Sequence, residues 1–401
     1  MPGGFHGIGG NAPKTIARQK NYRMKNLLAY LLITVLTLSA CSKTGLDLPS
    51  GNGGTGGTNP PVSTKDTLTF NVLVYIDRAS VEGHLNANER SIKTKMDELF
   101  RKASNFWNEA SKGKLKHTYR YTVADVSIYD GSSADQALRY EIYNAPIDFG
   151  KYDVTVFFDC LQDNDESGNG GAAHGGGSDN RSVVTVMAGP NSPKEIFTDE
   201  TYKTLVHELG HYRGVTDMYQ YIIEPADNPV NHMQYQPPKC IMSSASDGVW
   251  SDYAANVMNY TGGAKQVGTA FPDFFNQLYP EKIELNVTVS GEAKRGIVVN
   301  FYGSRAGGSG HNRDIWPEVF VSKRTDTNGK CILYDTKEYY VPNPNYDNSM
   351  VVPPDLPYGR IFGLLAEVIY DDQTKYVWMP EYEVQMPFFK GETTYSAIVA
   401  F

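Results

Sequence analysis

Eleven residues near the middle of the chain, His207-Glu208-Leu209-Gly210-His211-Tyr212-Arg213-Gly214-Val215-Thr216-Asp217, restrict its folding more than any other feature. Leu205, Val206 and Leu209 give this stretch an apolar inner face, and Thr198, Asp199 and Glu200 can cap a helix here and suit its positive end. Positions four apart project from one side of a helix, so the imidazoles of His207 and His211 can reach one ion. Zinc accepts histidine nitrogen at about 2.0–2.1 Å and suits such a pair. Gly214 follows His211 by three residues and can end the helix by taking up positive φ. The chain then turns sharply, which can return Asp217 as a third ligand. Glu208 lies on the flank of the same face. A carboxylate there can serve as general base and then as general acid beside a metal ion.

The surrounding sequence reads as a mixed α/β (α+β) scaffold. A strand is expected from Leu68 to Ile76, followed by a helix with apolar residues at Ile92, Met96, Leu99, Ala103, Phe106, Trp107 and Ala110. Gly113 is placed to terminate that helix. Further strands are expected at Leu115–Val123, Tyr152–Phe158 and Ser182–Ala188, with a Gly/Asp/Asn-rich loop from Asp163 to Asn180. Strands alternating with helices indicate a sheet domain, assigned to residues 67–283, with Phe271–Tyr279 as its final helix. From Glu284 the texture changes. Short runs (Leu285–Val289, Ile297–Tyr302, Val319–Val321, Cys331–Tyr334, Ile361–Tyr370, Lys375–Met379) alternate with turn signals, which predicts an all-β sandwich over 284–401. The turn Thr325-Asp326-Thr327-Asn328-Gly329-Lys330 resembles the strand connection of carboxypeptidase-regulatory-like and prealbumin-like modules.

His-Glu-x-x-His-x-x-Gly-x-x-Asp resembles the metzincin consensus of zinc peptidases, with Asp in place of the usual third histidine. Snapalysins carry that variant, and the run Gly214 to Tyr219 is similar to the immune-inhibitor-A type of secreted bacterial metallopeptidase. The resemblance implies a zincin domain in which His207, His211 and Asp217 hold one catalytic zinc and Glu208 is the base in peptide-bond hydrolysis. Glu224, His232 and Tyr219 are the rival third ligands. Glu224 would imply a gluzincin arrangement, which Gly214 and Pro225 disfavour. Metzincins also place a methionine turn beneath the metal, and two segments compete for it. Cys240-Ile241-Met242-Ser243-Ser244 is favoured because it lies in an irregular stretch after Pro237-Pro238. Asn256-Val257-Met258-Asn259-Tyr260 is the alternative, although 254–259 also suits a helix. Tyr260 and Tyr219 are candidates for a transition-state tyrosine, and Tyr253 is a further candidate donor. The strand Ser182–Ala188 precedes the active helix, as does the edge strand that pairs with substrate in that family.

Other features set the cellular context. Lys25 precedes an apolar run from Leu27 to Leu38 and then Ser39-Ala40-Cys41, which reads as a secretory signal over residues 1–40 starting at Met24. Leu38-Ser39-Ala40-Cys41 resembles a bacterial lipobox, which implies a lipidated Cys41, membrane attachment and a place in the cell envelope. Residues 41–66, rich in Gly, Pro, Ser and Thr, suit a flexible tether. Without the five Lys/Arg of residues 1–40 the formal charge falls from −8 to −13, which argues against nucleic acid as a partner. The expected partners are a protein or peptide substrate and, through the anchor, a membrane. An exported compartment permits a Cys160–Cys240 bridge. In the Gly-rich loop His174 can bind a second ion, and Asp163, Asp165 and Glu166 can hold calcium, or the loop is simply solvated. Two other functions remain open: a surface adhesin or glycan-binding lipoprotein with a structural zinc, and a hydrolase of non-peptide amides. No Gly-x-Ser-x-Gly or Walker-type run supports serine or phosphate-loop chemistry.

Overall fold

The strand expected at Leu68–Ile76 is β1 (Thr67–Asp77), the hub of a five-stranded sheet. The computed structural model describes residues 65–84, 87–131, 135–143, 148–159, 170–174, 183–187, 199–271, 274–305, 313–340 and 361–401. The signal region, Cys41, almost all of the tether, Cys160, Asp163, Asp165 and Glu166 lie outside them. Among the described residues, no helix is long and apolar enough to cross a membrane.

The long helix α1 (Glu89–Ala110) begins where Asn88 and Ser91 exchange side-chain to backbone hydrogen bonds as a capping box. Its stripe Ile92, Met96, Leu99, Phe100, Ala103, Trp107 and Ala110 is at most 2% exposed. Each large member contributes roughly 1.5–3 kcal/mol by leaving water. Phe106 is only half-buried and packs edge-on against Tyr202. After α1 come β2 (Thr118–Tyr129), the short helix α2 (Gln136–Tyr143), β3 (Val154–Asp159), β4 (Gly170–His174) and β5 (Val183–Met187).

The sheet order is β2-β1-β3-β5-β4. The first three pairings are parallel and β4–β5 is antiparallel, so the sheet is mixed. Two expectations need correction here. The Gly-rich segment 163–180 is not all loop, because β4 lies within it. The strand expected at Ser182–Ala188 is internal, paired with β3 on one side and β4 on the other, and β4 is the outer strand. Glycine and alanine carry little strand propensity, so β4 forms through its pairing with β5 rather than through its own composition.

Helix α3 (Asp199–Tyr212) carries the two histidines, and α4 (Asp252–Thr261) follows behind an Asn/Pro-rich stretch of turns. Ser251 caps α4 by accepting from the Ala254 amide. The final helix expected at Phe271–Tyr279 is reduced to the single turn Phe274–Gln277.

The rest of the chain builds β6 (Lys282–Val289), β7 (Glu292–Ala293), β8 (Val298–Arg305), β9 (Asp314–Ile315), β10 (Val321–Arg324), β11 (Lys330–Tyr334), β12 (Ile361–Tyr370), β13 (Gln373–Pro380) and β14 (Thr394–Ala400). One antiparallel sheet runs β10-β8-β12-β13 and the other runs β11-β6-β14, in which β6 and β14 are parallel. Leu285, Phe301, Leu333, Leu364 and Val399 bring both sheets into one apolar core. This part is not purely β. The short helices Thr336–Tyr340 and Glu381–Val384 and the turn Met386–Lys390 interrupt it.

Thr64–Phe401 is one compact unit. Phe362, Tyr382, Met386, Phe388 and Phe389 leave the β-rich part and join the core of the first sheet and helices α1, α3 and α4.

Candidate metal centre

Helix α3 is seated by Leu205, Val206, Leu209 and Tyr212, all buried. Gly210 permits its close approach to the segment below. A Cβ at that position would stand 2.6 Å from Met242 Sδ and 3.3 Å from Trp250 Cη2. Met242 is wholly buried in the irregular turn Cys240–Ser244, directly against the histidine helix. Met258 lies inside α4, where its carbonyl accepts from the Tyr119 hydroxyl.

The helix ends at Gly214, whose φ of +86° favours glycine. The Val215 amide donates to the Gly210 carbonyl at 3.1 Å and the Gly214 amide to the His211 carbonyl at 2.8 Å. That pair of bonds is a Schellman cap. It reverses the chain and leads to Asp217, which precedes the 3-10 turn Met218–Tyr221. Although Asp217 occupies the capping position of that turn, its side chain makes no capping hydrogen bond. Its carboxylate faces the histidines instead.

His207, His211 and Asp217 form a group whose ligand atoms lie within 4.8 Å of one another, the one such group among the described residues. Asp217 Oδ1 stands 3.1 Å from Nε2 of His207 and 3.1 Å from Nε2 of His211. Each ring's other nitrogen is committed: His207 Nδ1 lies 2.8 Å from the Ile241 carbonyl and His211 Nδ1 2.8 Å from the Val215 carbonyl. A carbonyl only accepts, so both Nδ1 atoms carry hydrogen, and each ring in its neutral form keeps its lone pair at Nε2, 3.1 Å from Asp217 Oδ1. Oδ1 is buried and has no hydrogen-bond donor. Three lone-pair donors converging on one point suit a cation, and two imidazoles with one carboxylate are a donor set that zinc accepts.

Outer contacts fix this arrangement. The Tyr219 hydroxyl donates to Asp217 Oδ2 at 2.7 Å, and its ring lies parallel to that of His207 at 6.4 Å. Arg213, fully buried, donates to the carbonyls of Ala264 and Gly262 and lies over the Phe70 ring. It ties the end of α3 to the chain beyond α4.

Electrostatics follow from the same packing. Burial alone raises the Asp217 carboxyl, but the two histidines more than offset it and hold the group well below the usual carboxylate range. Burial lowers the His211 imidazole, and the Asp217 carboxylate reverses this, pushing it up to about 8. Glu208 is only 4% exposed, its Oε1 is 4.0 Å from His207 Nε2, and its Oε2 is buried without a hydrogen-bond partner. Burial pushes its carboxyl up, the direction that suits a proton acceptor working near neutrality.

The remaining candidates lie elsewhere. Glu224 is exposed and accepts from Gln234 Nε2, and His232 is exposed at φ +54°. Tyr260 packs in an aromatic cluster with Phe271, Phe274, Phe388 and Phe389, and the Tyr253 hydroxyl donates to Gln385 Oε1. Cys240 is a buried free thiol whose sulfur accepts from the Ser251 amide. Sequence reasoning missed the carbonyls of Ile241 and Val215, Arg213 as a bolt, and Arg313, whose Nη1 donates to the Tyr219 carbonyl at 2.5 Å. Apart from Val215, four residues beyond His211, none of these carries a local signal, since each acts through a contact made by folding.

No protein-family model matches the chain, and no curated protein is similar to it. One solved structure, described as a chaperone–substrate complex, aligns with 50% of this chain and 36% of its own at 11% identity and a TM-score of 0.33. The chain thus spans little more than a third of that protein. Wild-type OgpA from Akkermansia muciniphila aligns with 80% of this chain and 95% of its own at 12% identity and a TM-score of 0.34. Likenesses this distant identify neither fold family nor activity.

Proposed function

We propose that the protein is a zinc-dependent metallopeptidase of the metzincin type, exported and lipid-anchored through Cys41. The observation that carries the reading is the convergence of His207 Nε2, His211 Nε2 and Asp217 Oδ1, with Glu208 beside them and no fourth His, Cys, Asp or Glu in the group among the described residues. When bound, zinc supplies Lewis acidity toward a carbonyl and lowers the pKa of water. His207 and His211 would hold the ion through Nε2 because backbone carbonyls hold Nδ1–H. Asp217 would hold it through Oδ1 because Tyr219 occupies Oδ2. Glu208 takes a proton from the attacking water and returns it to the leaving amine, so its buried carboxyl must be ionised at the start. The outer strand β4 offers an extended peptide a backbone to pair with. An adhesin with a structural zinc needs four closed ligands and no base beside them, which this group does not match.

The test is a pair of variants in the purified full chain. His207→Ala should lose the approximately one zinc per chain that the wild type holds. Glu208→Gln should keep that zinc and fold yet cleave an unstructured protein about 10²–10⁴-fold more slowly. A well-folded wild type free of zinc, or a Glu208→Gln variant cleaving at the wild-type rate, refutes the reading.

A further inference from the structure

We infer that the C-terminal part of the chain completes the metal centre, with Arg313 and Glu381 clamping the turn that presents Asp217; the inference rests on the zinc reading above. Asp217 reaches the histidines only if the turn Met218–Tyr221 stays in place, because no capping bond fixes the aspartate itself. Within the first core Met218 and Tyr221 are buried, and the Met218 amide donates to the Met242 carbonyl at 2.8 Å. Further anchors come from far along the sequence. Arg313, next to β9, donates to the Tyr219 carbonyl and sets its guanidinium 5.7 Å from the centre of the Tyr219 ring. Tyr219 in turn holds Asp217 Oδ2. At the far end of the turn, the buried Tyr221 hydroxyl donates to Glu381 Oε2 at 3.0 Å.

Glu381 is itself a built anchor. It is 1% exposed at the start of the helix Glu381–Val384, and its Oε1 accepts from the Tyr279 hydroxyl and from Gln385 Nε2. Tyr221 is flanked edge-on by Tyr382 at 4.9 Å and Phe362 at 6.2 Å. A buried carboxyl group that accepts from three donors makes a stiff acceptor. Arg313 and Glu381 therefore grip a four-residue turn at two points, one through the backbone of Tyr219 and one through the side chain of Tyr221. Neither touches the ligand atoms. Both are positioning residues, and partners that orient a metal ligand typically govern affinity by 10–100-fold.

The experiment measures zinc affinity by chelator competition, well below the unfolding temperature, in the full chain carrying Tyr221→Phe, Arg313→Ala or Arg313→Lys. Thermal unfolding of the metal-free proteins is recorded alongside. Tyr221→Phe and Arg313→Ala should each weaken zinc binding about 10-fold or more, and Arg313→Lys, which keeps the charge and one donor, should recover part of the loss. A merely structural role predicts lower unfolding temperatures with unchanged affinity. If the wild type binds zinc and both Tyr221→Phe and Arg313→Ala bind it within twofold of wild type, the clamp is overturned while the metal reading stands. If the wild type takes up no zinc, the metal reading fails and the clamp falls with it.

Discussion

Gly210→Ala should be unfavourable, or at best neutral, in a place where the same change ordinarily stabilises. In a helix interior, Ala exceeds Gly by about 0.8–1.0 kcal/mol. At Gly210 the added methyl would sit 2.6 Å from Met242 Sδ, far inside van der Waals contact, with the Trp250 ring at 3.3 Å on another side. Met242 and Trp250 are both 0% exposed, and Trp250 is pinned by its Nε1 hydrogen bond to the Trp107 carbonyl. Overpacking in such a box costs about 1–3 kcal/mol, so the net effect is a loss of about 0–2 kcal/mol. A double-mutant cycle gives the sharper measurement. With Met242→Ala already present the obstructing sulfur is gone, and Gly210→Ala should regain its helix benefit of nearly 1 kcal/mol. The two changes should therefore couple favourably by about 1–3 kcal/mol. Urea denaturation of the four metal-free proteins supplies the numbers. If the effects add to within about 0.5 kcal/mol, Met242 does not lie under the histidine helix as described. Repeating the cycle with Met258→Ala, whose side chain belongs to α4, should show no such coupling.

Two further outcomes are expected. In metal-free protein His211 rises to about 8 from 6.5, so its pairing with Asp217 stabilises the fold fully below pH 6.5 and is lost as pH climbs through 8. That loss amounts to at most about 2 kcal/mol; denaturation midpoints between pH 6 and 9 should show it in metal-free but not zinc-loaded protein, and equal slopes in both would refute the pairing. Deleting 286–401 removes Glu381, Gln385 and Arg313 from their partners Tyr221, Tyr253 and Tyr219; the truncated chain should bind zinc at least about 10-fold more weakly, and unchanged binding would make 284–401 an independent appendage.

The parts of the centre that were legible beforehand are those whose causes are local. The four-residue spacing of His207 and His211 specifies one helix face, and Gly214 specifies the reversal, because both follow from backbone geometry over a single turn. The amphipathic stripe of α1 is equally local. What escaped depends on pairing across the fold. β4 has glycine or alanine at four of its five positions and looks like loop until β5 lies beside it. β14, with its half-exposed alternation, becomes a strand by running parallel to β6, more than a hundred residues earlier. Tyr219 was legible as a residue near the two histidines, but its role was not. Only the folded turn directs its hydroxyl to Asp217 Oδ2.

The same distinction bears on how the centre is held together. Its ligand atoms come from an eleven-residue stretch that also supplies the Val215 carbonyl, yet the other groups orienting them come from Ile241, Tyr219 and, behind these, Arg313 and Glu381. A helix alone could place two imidazoles on one side, but it has no means of fixing their tautomers or of bringing a carboxylate between them. The Ile241 carbonyl that selects the His207 tautomer precedes Met242, the residue on which Gly210 rests. One turn of chain thus sets both the height of the helix and the proton position on its first histidine. The Met242 carbonyl then receives the Met218 amide, so the same turn also anchors the segment that presents the aspartate. A displacement of Cys240–Ser244 would disturb all three ligands together. Conversely, Glu208 needs no such support, because its place beside the histidines follows from the helix itself.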